Sequence, residues 1–350
     1  MKRIVFPLIN FGRQGGHRVI ARLADVLIDK GCEVIFVVRD SIGEQYYPSK
    51  AKVIPIQQGS SRFRLVNSII NNLKIINQCR KLKPDVLVAT MNVTAYMVFL
   101  SSYKCRKVYY VQADESIFAT NFLQKLIANV SYRLPLDKIV NNESVLKNSK
   151  AKRLIGCVPA GVDFNVFKKR EKVIEKKVIG FIGRKEKYKG NDLVIDALIR
   201  CSEKYSFTVN IALYLSEENK EKLNRNKVNV NVIPIKNDIE LSEFYRSCDL
   251  IIACGLVENG AFHYPCAESM ASFVPVISNY APLAKTESEY YVDSDVSSLL
   301  IESKIDKYFS NSMSSIKKEQ KSNYEYASNY SWSVIGELFY NYIFQVKNNG

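Results

Sequence analysis

Short apolar runs alternate with segments of helical periodicity along most of the chain. Ile4 to Ile9 is an apolar run, Arg18 to Lys30 repeats apolar residues at helical spacing, and Glu33 to Val38 is a second, largely apolar run. Apolar runs of this length are typical of strands buried on both faces, and strands that alternate with helices form parallel sheets. The pattern therefore predicts an α/β protein.

The same alternation starts afresh after a charged segment that begins at Lys168. We therefore expect two Rossmann-like domains with parallel sheets, the first at 1–167 and the second at 168–329, facing each other across an interdomain cleft. Ligands of such sheets bind beyond the carboxyl ends of the strands. The segment at about 330–346 predicts a capped amphipathic helix.

Composition narrows the class of protein and its surroundings. Of the 350 residues, 47% are hydrophobic and 11% are aromatic, which is enough for a sizeable core. No stretch approaches the roughly 20 apolar residues that a membrane-spanning helix needs. The eight cysteines form no CxxC pair and no cluster at metal-ligand spacing, which favours a reducing compartment. We expect a cytoplasmic protein.

The net charge of +15 is concentrated in the first half of the chain. Residues 1–165 contain 25 Lys/Arg and 11 Asp/Glu, whereas residues 166–350 contain 25 and 24. This asymmetry favours an anionic partner such as a membrane surface, an acidic substrate or nucleic acid, although a well-solvated lysine-rich surface gives the same count. Only the positive charge suggests a nucleic-acid partner, because the sequence has no motif that combines aromatic and basic residues. We therefore expect no nucleic-acid partner.

A glycine-rich segment at 10–17 follows the first predicted strand. Gly12, Gly15 and Gly16 lie where the chain turns into the first helix, and backbone N–H groups at a helix start can bind phosphate. The spacing differs from the GxGxxG of dinucleotide-binding domains, and no Walker A lysine follows. A phosphate site and a simple tight turn both stay open. His17, which comes next, either contacts substrate or satisfies local backbone groups.

Two basic residues flank the loop after the first strand of the second series. Arg184 follows Gly183 at the predicted carboxyl end of that strand, and Lys189 precedes the next helix. A guanidinium and an ammonium at this place can neutralise a diphosphate and stabilise it as it leaves. Solvated loop charge is the alternative, and it suits Lys185 and Lys187 better.

A third polar segment runs from Glu258 to Ala271, through a loop into a predicted helix. Free N–H groups and the positive end of the helix dipole favour an anionic ligand here. The Glu268 carboxylate can accept hydrogen bonds from sugar hydroxyls, or it is an acid that stabilises the first helical turn.

These three segments, in this order and spacing, resemble the retaining glycosyltransferases of family 4, which have the GT-B fold. Two further segments support the resemblance, since Pro159 to Phe167 is similar to the family's NGVD..F and Tyr245 to Asp249 is similar to its Y..AD. The resemblance covers nearly the whole chain. It implies a sugar nucleotide as donor substrate, no other cofactor and no metal, because Arg and Lys do the electrostatic work of a divalent cation.

By this resemblance, Arg184 and Lys189 are catalytic and stabilise the departing diphosphate, while Glu268 binds the ribose of the donor. The terminal helix would pack back on the first domain. The donor-binding residues that the resemblance implies are Gly15, Gly16, Gly183, Gly260, Ala261, Phe262 and Glu268. The acceptor would bind the first domain, where His17, Gln112 and Asp114 are candidates, with plain loop polarity as the alternative for the last two.

One departure from the family affects the expected catalytic residues. The family carries two glutamates eight positions apart, and the position eight before Glu268 is Gly260. Glu258 and His263 are the two candidates to replace the missing carboxylate. If neither does, the chain uses an altered mechanism, accepts an unusual donor, or is a catalytically silent partner of an active glycosyltransferase.

The resemblance leads us to expect transfer to a cell-surface glycan or a lipid-linked acceptor. The basic first domain would then make peripheral contact with the anionic inner face of the cell membrane. Asp293-Ser294-Asp295 matches the DxD of metal-dependent transferases. Because it lies far from the donor motifs and just before a helical pattern, we expect a turn and a helix cap there and no metal.

Overall fold

The chain divides into two compact units. The first comprises Met1–Gly161 and Trp332–Gly350, and the second comprises Val162–Ser331. The division falls at Gly161, before the position expected from the sequence, and the last segment joins the first unit from Trp332 onwards. The computed structural model describes residues 1–12, 15–39, 45–59, 62–101, 104–146, 151–171, 173–293 and 295–344.

Within the described part of the first unit, seven parallel strands form one sheet in the order β3-β2-β1-β4-β5-β6-β7. The strands are β1 (Arg3–Pro7), β2 (Glu33–Arg39), β3 (Lys52–Ile56), β4 (Val86–Ala89), β5 (Arg106–Val111), β6 (Asp137–Val140) and β7 (Leu154–Cys157). The helices are α1 (Gly15–Asp29), α2 (Arg64–Lys81), α3 (Asn92–Leu100), α4 (Phe122–Ser131) and α11 (Trp332–Phe344).

In the second unit, the described residues form five parallel strands in the order β10-β9-β8-β11-β12. The strands are β8 (Val178–Ile182), β9 (Thr208–Ala212), β10 (Asn229–Ile233), β11 (Leu250–Ala253) and β12 (Val276–Ser278). The helices are α5 (Asn191–Ser202), α6 (Glu217–Arg225), α7 (Asp238–Ser247), α8 (Tyr264–Ala271), α9 (Ser298–Ser310) and α10 (Met313–Ala327). Short 3-10 turns lie at Glu143–Leu146, Lys187–Lys189, Leu283–Lys285 and Ser328–Tyr330.

The α/β class with parallel sheets is confirmed. The sequence predicts strands at the apolar runs Val86 to Ala89, Val178 to Ile182 and Leu250 to Ala253, and these runs form β4, β8 and β11. The bounds agree because strands buried on both faces read as continuous apolar runs. The periodicity predicts a helix near Ala267 to Ser272, but α8 begins at Tyr264, because Pro265 is well suited to the first turn of a helix. A helix cap was expected at Asp293-Ser294-Asp295, but the cap of α9 is Ser297, whose side chain accepts from the N–H of Leu300.

The terminal helix α11 packs on α1 through a close approach at Gly336. A Cβ atom at this position would lie 2.3 Å from the side chain of Val26, so only glycine fits. Phe339 is fully buried and its ring meets that of Tyr110 with centroids 5.4 Å apart. Among the helices in the described ranges, none has the length and apolar character needed to cross a membrane.

A buried ion pair fixes the start of β8 in the second unit. The Nη2 of Arg170 donates to the Oδ1 of Asp249 at 2.6 Å, and both side chains are almost fully buried. The other carboxylate oxygen accepts from the backbone N–H groups of Lys177 and Val178 at 2.9 and 3.1 Å. Asp249, the last residue of the Y..AD segment, therefore holds the strand whose far end carries Gly183.

Candidate functional site

The order of the second sheet places a crevice at the carboxyl ends of β8 and β11. The chain leaves β8 towards β9 on one side and returns to β11 on the other, and ligands of parallel sheets bind where the order reverses in this way. A pocket opens there. It is lined by Phe181, Ile182, Arg184, Lys189, Asn191, Val194, Ile252, Ala253, Cys254, His263 and Pro265.

Gly183 turns the chain out of β8 and into this pocket. A Cβ atom on Gly183 would lie 1.7 Å from the carbonyl oxygen of Tyr214, so no side chain fits. The predicted donor-binding glycine is thus required by the packing of the neighbouring strand. The next residue, Arg184, is exposed and lines the pocket, and its carbonyl oxygen accepts a hydrogen bond from the side chain of Asn191.

Lys189 reaches the pocket from the end of the 3-10 turn that precedes α5. Gly190 follows with φ of +78°, a left-handed conformation that glycine adopts without cost, and it caps both the turn and the helix. Helix α5 then begins at Asn191, which also lines the pocket. The free N–H groups of its first turn add partial positive charge to that of the two cations.

His263 lies in the same pocket as the two cations and is held uncharged. Burial, together with the positive charges of Lys189 and Arg184, lowers the pKa of His263 to about 3. Its Nδ1 atom is buried and has no hydrogen-bond partner among the described residues. The ring lies against that of Tyr280, with centroids 4.3 Å apart. His263 can therefore offer a neutral donor or acceptor beside two fixed positive charges.

The loop that leads from β11 to His263 is held by two residues that follow β12. The Asn279 side chain accepts from the N–H of Gly255 at 3.1 Å and donates to the carbonyl of the same residue at 2.9 Å. The Tyr280 hydroxyl donates to the carbonyl of Val257 at 2.8 Å. Asn279 and Tyr280 thus position the loop.

The two candidates for the missing carboxylate lie in different surroundings. Glu258 is exposed and adopts φ of +57°, and Gly260 follows it at +73° with open space around its Cα. His263 is among the described residues that line the pocket, and Glu258 is not. Geometry therefore favours His263 over Glu258 as the polar group nearest the two cations.

Glu268 lies in α8 and is almost completely buried, with 1% of its surface exposed. Its Oε2 accepts a hydrogen bond from the Tyr245 hydroxyl at 2.9 Å. The Tyr245 to Asp249 segment and the third polar segment, Glu258 to Ala271, therefore meet at this contact. Binding of a donor ribose by Glu268 stays a prediction.

Ala261 and Phe262, which were expected to complete the donor pocket, take part in local packing. The N–H of Ala281 donates to the carbonyl of Ala261 at 2.9 Å. The Phe262 ring contacts those of Tyr264 and Tyr330, with centroids 5.2 and 5.7 Å apart. These contacts give both residues a structural role, and their contact with a donor stays a prediction.

In the first unit, the glycine-rich segment lies beside the end of β5. Gly15 and Gly16 open α1, and a Cβ atom on Gly16 would lie 3.1 Å from the Oε1 of Gln112. The structure therefore brings together one predicted donor-binding residue and one acceptor-side candidate. Arg13 and Gln14 of the same segment lie outside the described residues.

His17 belongs to a different pocket of the first unit. It lines a small cavity together with aromatic residues that include Phe11 and Phe36. Burial lowers the pKa of His17 below its ordinary value of 6.5. His17 is thus a partly buried, neutral histidine.

Asp114 orders the turn after β5. Its Oδ1 accepts from the N–H and the hydroxyl of Ser116, at 3.0 and 2.7 Å, and from the Tyr132 hydroxyl at 3.3 Å. Glu115, which follows, accepts from the N–H of Asn92 at 2.8 Å. Burial raises the pKa of Glu115, and the hydrogen bonds it accepts oppose that rise. These contacts favour the structural alternative for Asp114.

Within the described residues, no group of three or more His, Cys, Asp or Glu side chains is arranged to hold a metal ion. The absence of a metal from the reaction stays a prediction.

Residues 163–331 match the family model described as glycosyl transferases group 1. The second unit is a group 1 glycosyltransferase domain. A comparison with curated protein sequences found no match. The pocket of Arg184, Lys189 and His263 therefore lies inside the group 1 glycosyltransferase domain.

Solved structures extend the similarity to nearly the whole chain. HepE from Anabaena, in complex with UDP-glucose, has a TM-score of 0.74 at 15% identity, with 97% of this chain and 99% of that chain covered. A glycosyltransferase from Rickettsia africae has a TM-score of 0.75 at 16% identity, with both chains fully covered. WaaG, a glycosyltransferase involved in lipopolysaccharide biosynthesis, has a TM-score of 0.69 at 16% identity, with 98% and 100% covered. These likenesses show that the chain has the GT-B fold.

Two residues that shape the pocket were missed by sequence reasoning. Asn191 follows the predicted Lys189-Gly190 pair, and Asn279 follows the apolar run of β12. Asn191 lies just past a glycine turn and Asn279 just past a strand end, and polar residues at such places lie at the ligand-binding edge of a parallel sheet. This position relative to the turn or strand is the sequence feature that could have identified both residues.

Proposed function

We propose that the chain is a retaining glycosyltransferase that moves a sugar, of the hexose type, from a nucleotide-diphosphate donor to an acceptor hydroxyl. The observation that carries the proposal is the pocket in which Arg184, Lys189 and neutral His263 meet, at the switch point of a group 1 glycosyltransferase domain. Two fixed cations suit a diphosphate, whose negative charge grows as the bond to the sugar breaks.

In the proposed reaction, the bond between the anomeric carbon and the diphosphate oxygen breaks while the acceptor oxygen attacks the same face. The acceptor proton passes to the leaving diphosphate. Arg184 and Lys189 stabilise the developing charge, and the uncharged His263 ring lines the pocket beside them. We propose that no metal and no further cofactor take part, because the two side chains already supply the positive charge.

The relatives support a nucleotide sugar as donor, since HepE was solved with UDP-glucose. WaaG, which takes part in lipopolysaccharide biosynthesis, supports a cell-surface glycan or a lipid-linked molecule as acceptor. The excess of Lys and Arg in residues 1–165 fits peripheral contact with the anionic inner face of a cell membrane, and so a cytoplasmic place of action.

The test is a panel of sugar nucleotides, incubated with the purified chain without metal and followed by thermal shift and by release of the nucleoside diphosphate. Arg184→Ala should abolish release and weaken donor binding. Lys185→Ala is the matched control, because Lys185 belongs to the same loop but lies over the Tyr214 ring, 5.5 Å from its centroid. Equal losses in both variants would attribute the effect to general loop charge and contradict the proposed role of Arg184.

A catalytically silent binding partner is the second candidate, favoured by Gly260 at the position of the family's first glutamate. Donor binding without turnover, even with candidate acceptors present, would support this alternative. Turnover by the isolated chain would exclude it.

A further inference from the structure

Helix α4 and the turn before it turn their large apolar side chains outward. Phe122 is 81% exposed, Ile117 is 74% exposed, and Phe118, Leu123 and Leu126 are also exposed. The buried residues of α4 are the small Ala128 and Ser131. These exposed side chains are called the α4 apolar surface, which comprises Ile117, Phe118, Phe122, Leu123 and Leu126.

A cluster of exposed large apolar side chains is unusual for a protein surface that contacts only water. Single exposed apolar residues are normal on soluble proteins, whereas contiguous ones mark interaction sites. In the second unit, exposed large apolar side chains occur singly, as at Val232 and Ile239, or in adjacent pairs, as at Leu299 and Leu300. In α4, by contrast, Phe122 and Leu126 are four positions apart and lie on one helical face.

The neighbouring helices extend the apolar surface. Helix α3 packs between α2 and α4, and the Tyr96 hydroxyl of α3 donates to the carbonyl of Ile127 at 2.8 Å. Helix α3 exposes Phe99 and Leu100 at its end, and α2 exposes Ile69 and other apolar residues. Exposed apolar side chains therefore occur on three adjacent helices.

Two basic residues, Arg80 and Lys107, meet at the end of α3. The Nη2 of Arg80 donates to the carbonyl of Leu100 at 2.9 Å, and the Nζ of Lys107 donates to the carbonyl of Phe99 at 3.0 Å. Burial, with a smaller contribution from Arg80, lowers the pKa of Lys107. These cations lie directly beside exposed apolar side chains.

From Ser116 to Leu136, the stretch that contains α4, all charged residues are basic. The sequence has no Asp or Glu from Ser116 to Leu136, but it has Lys125 and Arg133 there, and both are exposed. Asp114, just before this stretch, accepts hydrogen bonds within its own turn. A surface with exposed aromatic side chains and only positive charge is complementary to an anionic lipid interface.

We propose that the α4 apolar surface inserts into the interfacial region of an anionic lipid bilayer, with Lys125 and Arg133 on the headgroups. A second copy of the chain is a poorer occupant, because a symmetric contact would bring the same positive charges together without an acidic partner. Docking follows from these residues alone, and only its purpose, access to a lipid-linked acceptor, rests on the proposed function.

The experiment measures binding of the full chain to vesicles of phosphatidylcholine with phosphatidylglycerol, and to vesicles of phosphatidylcholine alone. We expect binding to the anionic vesicles that weakens at high salt. The double variant Phe118→Ser with Phe122→Ser should lose at least about tenfold in affinity, since each large apolar side chain contributes that much or more on full burial. The matched control is Ile239→Ser with Leu299→Ser, which removes two exposed apolar side chains from the second unit.

The contribution of the positive charges is tested with the double variant Lys125→Glu with Arg133→Glu. The control is Lys317→Glu with Lys318→Glu in α10. Only the first pair should weaken binding. Insertion is followed separately by Phe122→Trp, whose emission brominated lipids should quench, whereas Ile239→Trp should show no added quenching.

Three outcomes would overturn the proposal. The chain binds no anionic vesicles, or the serine variant binds as well as the unchanged chain, or the surface instead mediates self-association or capture of an acidic protein that the serine variant abolishes. Donor binding by thermal shift, measured on the same variants, separates these failures from failure of the proposed function. The α4 variants should retain it, because their side chains lie outside the donor pocket.

Discussion

Replacement of Asp249 by alanine should strongly destabilise the second unit. In the unchanged chain, the Asp249 carboxylate accepts a hydrogen bond from the buried Arg170 guanidinium at 2.6 Å. The variant leaves this guanidinium buried without its carboxylate partner. It also removes the acceptor of the N–H groups of Lys177 and Val178, at 2.9 and 3.1 Å. Loss of one partner from a buried ion pair costs about 3–5 kcal/mol, so we expect a loss of about 4 kcal/mol in the free energy of unfolding.

The assay is urea unfolding followed by far-ultraviolet circular dichroism. With a slope of about 2 kcal/mol per M, the expected loss shifts the midpoint by roughly 2 M. The control is Glu221→Ala, which breaks an exposed pair with Arg225 at 3.8 Å and should cost less than about 0.5 kcal/mol. If Asp249→Ala costs no more than this control, the buried pair does not hold the start of β8 and the reasoning is refuted.

Three further predictions concern the pocket and its support. Gly183→Ala should destabilise by roughly 2 kcal/mol or more in thermal unfolding, because its Cβ would lie 1.7 Å from the carbonyl oxygen of Tyr214; no change in melting temperature would contradict this packing. Asn279→Ala should raise the donor concentration for half-maximal thermal shift by about tenfold, since two buried hydrogen bonds to Gly255 are lost; unchanged donor binding would remove its positioning role. His263 has a folded-state pKa of about 3 against an ordinary 6.5, so the unfolded chain binds more protons between these values and stability falls as pH drops through that window. The melting temperature of His263→Asn should fall less on acidification, and an identical fall would contradict the neutral histidine.

The ligand-binding edge of the second sheet was predictable from the sequence because parallel strands align their carboxyl ends. The apolar runs of β8 and β11 fixed where those ends lie, so Arg184 and His263 could be expected near each other. The packing reason for Gly183 was not predictable, because Tyr214 belongs to a different strand-to-helix connection. Contacts between segments distant in sequence leave no mark on local periodicity.

The apolar residues of helices α3 and α4 differ in pattern, and this difference bears on the α4 apolar surface. A helix is recognised from one apolar face and one polar face. In α4, large apolar residues such as Phe122 point to solvent and small ones such as Ala128 point inward. In α3 the exposed end carries Phe99 and Leu100, so the apolar residues follow no single stripe. In α4, Phe122, Leu126 and Val130 do repeat at helical spacing, and this apolar stripe faces solvent. The sequence alone does not show which way such a stripe faces, and in α4 it forms the surface for which a lipid interface is proposed.

Position 260 offers the sharpest distinction between an active and a silent glycosyltransferase. The first glutamate of the family that the sequence resembles corresponds here to Gly260, which adopts φ of +73° and has open space where a side chain would begin. Gly260→Glu therefore restores a carboxylate without a steric clash, at a backbone cost of about 1 kcal/mol. Gly260→Ala carries the same backbone cost without the carboxylate and is the matched control.

If His263 has taken over the role of the missing glutamate, the unchanged chain turns over its donor, and Gly260→Glu gains nothing over Gly260→Ala in diphosphate release. If the chain is silent because the carboxylate is missing, Gly260→Glu alone gains turnover while donor binding stays similar in both variants. The second result would refute replacement by His263, because the pocket of Arg184 and Lys189 would then be intact for binding and incomplete only for the chemical step.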